Sequence, residues 1–178
     1  MFDPETLLIQ GREASGEGRL DDARDLVAQA VAEARFVKDK APLGKALRAL
    51  GQAERALKHP DSAIQCYREA AAISLALGDR LAWAHAIRHV ADILREHKRT
   101  TEAADWYSKV LEVYRTHPQA LPLDHANALR GFALLKDSAG DTEEALLMWQ
   151  GASTLYSTAG VAAGVAEAQG HIAFMLGR

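Results

Sequence analysis

One cysteine and five prolines are all that 178 residues hold of those two types, and aromatic side chains make up only 6%. The lone Cys66 excludes an internal disulfide, and with no obvious low-pKa setting it is expected to be a small packing or surface residue rather than a redox centre. Five prolines and 13 glycines are too few for a collagen-like or loop-dominated chain. Uncharged apolar runs fall well short of the ~20 residues a membrane span requires. The opening Met1-Phe2-Asp3-Pro4-Glu5 is acidic, with neither the basic start nor the apolar core of a secretion signal, so no membrane association and a cytoplasmic location are expected. What remains is 48% hydrophobic and rich in alanine, which supports a sizeable core of close-packed helices and disfavours a disordered chain or a β-sandwich.

The formal net charge of −3 hides a pattern. Residues 1–40 and 100–178 are acidic, whereas residues 41–99 carry 10 basic against 6 acidic side chains. A local cationic excess in a mildly acidic chain points to an anion-binding surface.

Self-similarity organises the whole sequence. Alanine is followed four residues later by Val or a large ring at Ala23/Val27, Ala63/Tyr67, Ala103/Tyr107 and Ala145/Trp149, with spacings of 40, 40 and 42 residues. Twelve residues before each alanine stands another small residue: Gly11, Gly51, Ala91 and Ala133. The frame recurs once more at Ile172-Ala173. Apolar residues follow helical spacing twice per unit, as in Leu43, Leu47, Leu50, Leu57 and then Ile64, Tyr67, Ala71, Leu75, so each unit is a pair of helices. Small residues at fixed places allow close backbone approach, and the ring fills the space beside it.

Punctuation gives the boundaries. Asp3-Pro4 and Pro60-Asp61 suit helix starts, Asp141 with Glu144 suits a capping box, and Gly18, Gly78, Gly140 and Gly160 suit helix ends. The expected helices span 4–16, 20–38, 42–57, 60–77, 80–97, 100–116, 122–138, 142–158 and 160–176, about nine in all. Pro118 and Pro122 mark a longer loop over Thr116–Asp124.

These features resemble the tetratricopeptide repeat, whose pattern is W-x2-L-G-x2-Y followed by A-x3-F. Leu47-x2-Leu50-Gly51 with Ala63-x3-Tyr67 matches best, and Ile87-x2-Val90-Ala91 with Ala103-x3-Tyr107 comes next. The opening Trp and the first-helix Tyr of the pattern are replaced, and no Pro ends the second helix. The ~40-residue period exceeds the common ~34, which longer helices explain, so the chain is similar to the long-repeat branch of the family found in cargo adaptors and bacterial regulators. The resemblance implies an all-α, right-handed α-solenoid of antiparallel helix pairs, a single superhelical array over 1–178. Its repeats would cover about 4–40, 41–79, 80–118 and 121–159, with a terminal helix at 160–178.

The resemblance also implies a non-catalytic scaffold that binds a protein segment on the concave face, lined by the first helix of each pair. Opposite the apolar stripe stand Lys45, Arg48, Gln52 and Arg55, then His85, Arg88, His89, Asp92 and Arg95, then Asn127, Arg130 and Leu134. Arg48, Arg88 and Arg130 occupy the same place in successive repeats and would form a ladder. Guanidinium groups match carboxylates bidentately, so an acidic or carboxylate-ended protein segment is the expected ligand. Family members that clamp acidic chaperone tails use Lys, Arg and Asn at such places, and this chain has only part of that set. Leu134 and Phe174 lie where Gln52 and Asp92 lie in earlier units and would make the last part of the groove more apolar; the alternative for Phe174 is that it helps seal the end of the array.

Other readings stand beside this one. The arginines also suit an ordinary solvated helix face. His85, His89 and Asp92 share a face and are metal-ligating types, but Arg88 and Arg95 disfavour a cation there, so no metal and no cofactor are expected. Nucleic acid is disfavoured by a pI near 6.2 and by placing Trp83, Trp106 and Trp149 at packing positions. No phosphate loop or nucleophile elbow is present to suggest an enzyme. The alternative function is homodimer formation through Ile172, Met175 and Leu176 of the terminal helix.

Overall fold

The structure, a computed structural model, describes residues 3–177; Met1, Phe2 and Arg178, within the expected array, lie outside the described residues. Among the described residues there are nine α-helices and no strand: α1 Pro4–Gly16, α2 Leu20–Val37, α3 Lys40–Ala56, α4 Pro60–Ala76, α5 Arg80–Glu96, α6 Thr100–Thr116, α7 Pro122–Ala139, α8 Thr142–Thr158 and α9 Ala162–Leu176. The chain divides into two compact units, one ending at Ile93 within α5 and the other beginning at Leu94.

In the first unit α1 packs on α2 and α3 on α4, with α2 against α3 between them. The small residue and the ring meet as the repeat implies: a Cβ on Gly51 would stand 3.0 Å from Tyr67, and one on Gly11 2.7 Å from Val27. Tyr67 is buried by this contact. Asp3 caps α1 by accepting from the Thr6 amide at 2.9 Å, and Asp39 caps α3 by accepting from Ala41 at 3.1 Å. The Asp39 cap starts α3 two residues earlier than expected, leaving Pro42 in the first turn, where no intrahelical amide bond is lost.

In the second unit α7 packs on α8, α8 on α9, and α6 on α7. Trp149 lies fully buried among Ala133, Ala145, Ala168 and Met175. A second cluster forms around Ala126, Ala152 and Tyr156, where a Cβ on Gly164 would come within 2.6 Å of the Tyr156 ring. Met175 belongs to the core, and Ile172 packs against it; of the residues expected to form a dimer surface, Leu176 is exposed, as is its neighbour Phe174. The reason is helical phase, because residues 172 and 175 fall on the face turned toward Trp149.

Most helix pairs are joined by one repeated turn. Gly18 donates its amide to the Ser15 carbonyl and Arg19 to that of Ala14, at 3.1 and 2.9 Å, with Gly18 at φ 79°. Gly78, Gly140 and Gly160 do the same with positive φ. Lys38, Lys58 and Lys98 also adopt positive φ, 60°, 65° and 60°, where no glycine marks the site. The capping box expected at Asp141 does not form. Asp141 makes no side-chain cap bond, and its carboxylate and that of Glu144 both engage the Lys136 ammonium, at 3.1 and 2.6 Å, which outcompetes the backbone amides.

Candidate functional site

Four places per first helix generate the site. Their 40-residue register aligns Glu5 with Lys45 and His85, Leu8 with Arg48 and Arg88, Arg12 with Gln52 and Asp92, and Ser15 with Arg55. Successive side chains at these places lie one turn apart on one helix face. Within the first unit all of them but Arg55, Arg88 and Asp92 line a cavity of about 560 Å³. Its walls come from Glu5, Leu8, Arg12 and Ser15 of α1, Lys45, Arg48 and Gln52 of α3, and His85 and His89 of α5. Ala23, Val27 and Tyr67 add an apolar floor. Asp79 accepts from the Ala82 amide at 2.8 Å and so fixes the first turn of α5.

Arg48 is the half-buried cation of this cavity. Burial pulls its pKa below the ordinary guanidinium range, and the opposing pull of Asp79 only partly offsets this. A partly desolvated guanidinium binds an anion more strongly than one in bulk water. Lys45, more exposed, stands 4.0 Å from the Glu5 carboxylate.

Arg88 sits differently. It is 8% exposed and donates from Nη1 to Asp92 at 2.8 Å and from Nη2 to Nε2 of His89 at 2.9 Å. The Arg55 guanidinium approaches the same Asp92 carboxylate at 3.9 Å. Accepting from Arg88 requires a lone pair on Nε2, so His89 is the neutral tautomer with its proton on Nδ1. Its pKa is driven down to about 2, first by burial and then by Arg88, His85, Arg55 and Arg48. The ring stacks on Tyr67 at 4.7 Å with 12° between planes, and His85 meets it edge-on at 5.0 Å. Burial raises the Tyr67 hydroxyl pKa. His85, His89 and Asp92 therefore line a network organised by Arg88, and no group of three His, Cys, Asp or Glu side chains is placed to hold a metal among the described residues.

The second unit holds the remaining expected residues. Arg130 engages Glu167 of α9 through two hydrogen bonds of 2.7 and 2.6 Å, and this contact lowers the Glu167 pKa. Asn127 Oδ1 accepts from the Tyr156 hydroxyl at 2.8 Å. Leu134 packs against the Trp149 cluster, and Arg95 approaches Glu96 at 3.4 Å. His171 stacks on Trp149 at 4.2 Å and 7°, the same partnership that His89 makes with Tyr67. Trp83 and Trp106 lie beneath Arg80 and Lys109, respectively. Cys66 is half-buried, and burial first, with Glu54 and Glu69, raises its thiol pKa to about 11.

Lys45, Arg48, Gln52, His85 and His89 are thus brought together around one cavity, with Arg55, Arg88 and Asp92 forming a network beside it. Sequence reasoning missed Glu5, Leu8 and Arg12 of α1. The signal was present, since subtracting one repeat from Lys45, Arg48 and Gln52 gives those three positions.

Residues 14–76 match the tetratricopeptide repeat family. No curated protein matches the chain. Among solved structures, BtubC (BKLC) from P. vanneervenii is similar with a TM-score of 0.73 and 19% identity, over 98% of this chain and 81% of that one. The nearly identical TPR-like repeats of a putative kinesin light chain from Podospora anserina give a TM-score of 0.69 and 14% identity, over 99% and 97%. A form of those repeats with one glutamine replaced by methionine gives 0.75 and 16%, over 98% and 87%. The family match and these folds agree with the resemblance carried by the repeat, and the fold class is an all-α solenoid of helix pairs. No helix among the described residues is long and apolar enough to cross a membrane.

Proposed function

We propose that this chain, tetratricopeptide repeat in sequence over residues 14–76 and tetratricopeptide-like in fold, is a non-catalytic scaffold that docks an acidic or carboxylate-ended segment of a partner protein. The observation that carries the reading is the α1–α3–α5 cavity, where Arg12, Lys45 and a half-buried Arg48 converge with Gln52 above an apolar floor. Three cations around such a space favour a carboxylate over any neutral group, and the floor offers apolar area to the residues beside it. Arg55 and Arg88 belong to the supporting layer, because Asp92 already engages them, while Arg130 would act in a ligand site only by exchanging Glu167 for the partner's carboxylate. The lone cysteine suits a cytoplasmic setting.

Fluorescence anisotropy of labelled acidic peptides, with free and amidated C-termini, tests this against the wild type and a Lys45→Glu/Arg48→Glu variant at two salt concentrations. Saturable, salt-sensitive binding lost in the folded variant is expected; a preference for the free terminus would add recognition of the terminal carboxylate. Equal binding by the variant would reject the cavity as the site. Self-association through α9 is the second reading, and exposed Phe174 and Leu176 favour it; a solution mass that rises with concentration and reverts in Phe174→Glu would support it.

A further inference from the structure

The repeat lacks its ring at one place only, and the cavity opens there. In the later units the ring of each second helix stacks on a ring of the next first helix: Tyr67 on His89 at 4.7 Å and 12°, Tyr107 on Phe132 at 5.5 Å and 17°, and Trp149 on His171 at 4.2 Å and 7°. The first and last of these pairs are the same pair in register, since 82 residues separate Tyr67 from Trp149 and His89 from His171. Moving Tyr67 and His89 back by the 40-residue period gives Val27 of α2 and Ala49 of α3. Both rings are thus absent from the first unit's corresponding place. The helices have not closed over the smaller pair, because Val27 and Ala49 both line the cavity of about 560 Å³, together with Leu8, Gly11 and Ala53. Apolar walls left facing water are covered with a gain proportional to their area. The later units show what this kind of helix crossing accommodates, a flat ring. Tyr67, His85 and His89 also line the cavity and supply aromatic neighbours to whatever enters it.

Resting on the proposed docking of a partner segment in this cavity, we infer that the space beside Val27 and Ala49 is a subsite for an aromatic side chain of that segment. The ring takes the room left by the missing pair and covers the small apolar walls of α1 and α3. The carboxylate of the segment supplies the attraction to the cations, and the ring supplies apolar burial that an all-acidic run lacks. A leucine side chain would cover part of the same walls but present no flat face to the neighbouring rings.

A labelled acidic peptide tests this through versions in which phenylalanine, leucine or alanine replaces each residue in turn. At one position or more, phenylalanine is expected to bind the wild type about tenfold more tightly than alanine, and leucine to gain less. Val27→Tyr/Ala49→His installs the pair found at Tyr67 and His89. Once circular dichroism shows this variant folded, it should bind the alanine versions as the wild type does and lose the phenylalanine gain. Should it not fold, Ala49→Leu, a smaller filling at a half-buried position, is expected to cut the same gain. Phenylalanine no tighter than alanine at every position, or matched by leucine, overturns the inference while leaving the anion site standing. So does a gain that survives the filling, or a folded variant that loses the alanine versions as well. Failure of every peptide to bind the wild type overturns both readings.

Discussion

A methyl group on Gly51 would lie 3.0 Å from three carbons of the Tyr67 ring, so that buried ring would have to shift by a few tenths of an ångström within its packing. Gly51→Ala is therefore expected to destabilise the protein by about 1–3 kcal/mol, whereas Gly16→Ala, with nothing within 4 Å, should be neutral or slightly stabilising. Urea denaturation of the two variants checks this contrast. The Gly51 contact was legible in the sequence because a small residue and a ring sixteen positions apart recur in register. The state of Arg88 was not legible. Its spacing to Asp92 suits a solvent-facing pair and a buried one equally, and only the packed structure reveals that it also donates to His89.

His89 makes a pH prediction with a definite sign. Its pKa falls from 6.5 to about 2 in the folded protein, so between those values the unfolded chain binds the extra proton. The neutral ring's contribution is complete above about pH 6.5 and is lost as pH falls. Unfolding free energy measured in urea should drop on going from pH 7 to pH 5, and His89→Gln should reduce that drop. An identical pH dependence in the variant would contradict the assigned protonation state.

At the scale of elements, the turn between helices is the most repeated device. Its left-handed residue is Gly18, Gly78, Gly140 or Gly160 in four turns and Lys38, Lys58 or Lys98 in three. A side chain at positive φ costs about 1–2 kcal/mol in the left-handed region, which glycine avoids. Lys58→Gly should raise stability by about 0.5–1 kcal/mol, visible as a higher Tm, while a loss would mean that the Lys58 side chain has a partner role. The glycine turns were legible from composition. The lysine turns were visible only through the 20-residue spacing of Gly18, Lys38, Lys58 and Gly78, because lysine itself carries no turn signal. The same holds for the end of the array. Apolar residues at Ile172, Met175 and Leu176 were readable, but which of them face Trp149 depends on helical phase, and two of the three do.

For the molecule as a whole, each unit builds its own core, and the first unit also presents a polar cavity between its first helices. The functional account rests on that cavity receiving a partner's carboxylate through Arg12, Lys45 and Arg48. The most direct test is a two-dimensional ¹H–¹⁵N NMR titration of the isotopically labelled protein with an acidic peptide, following backbone amides and arginine side chains together. The account predicts saturable shifts concentrated on the cavity-lining residues of α1, α3 and α5, with the Arg48 side chain among the largest. Shifts confined to α9, or none at all, would contradict it.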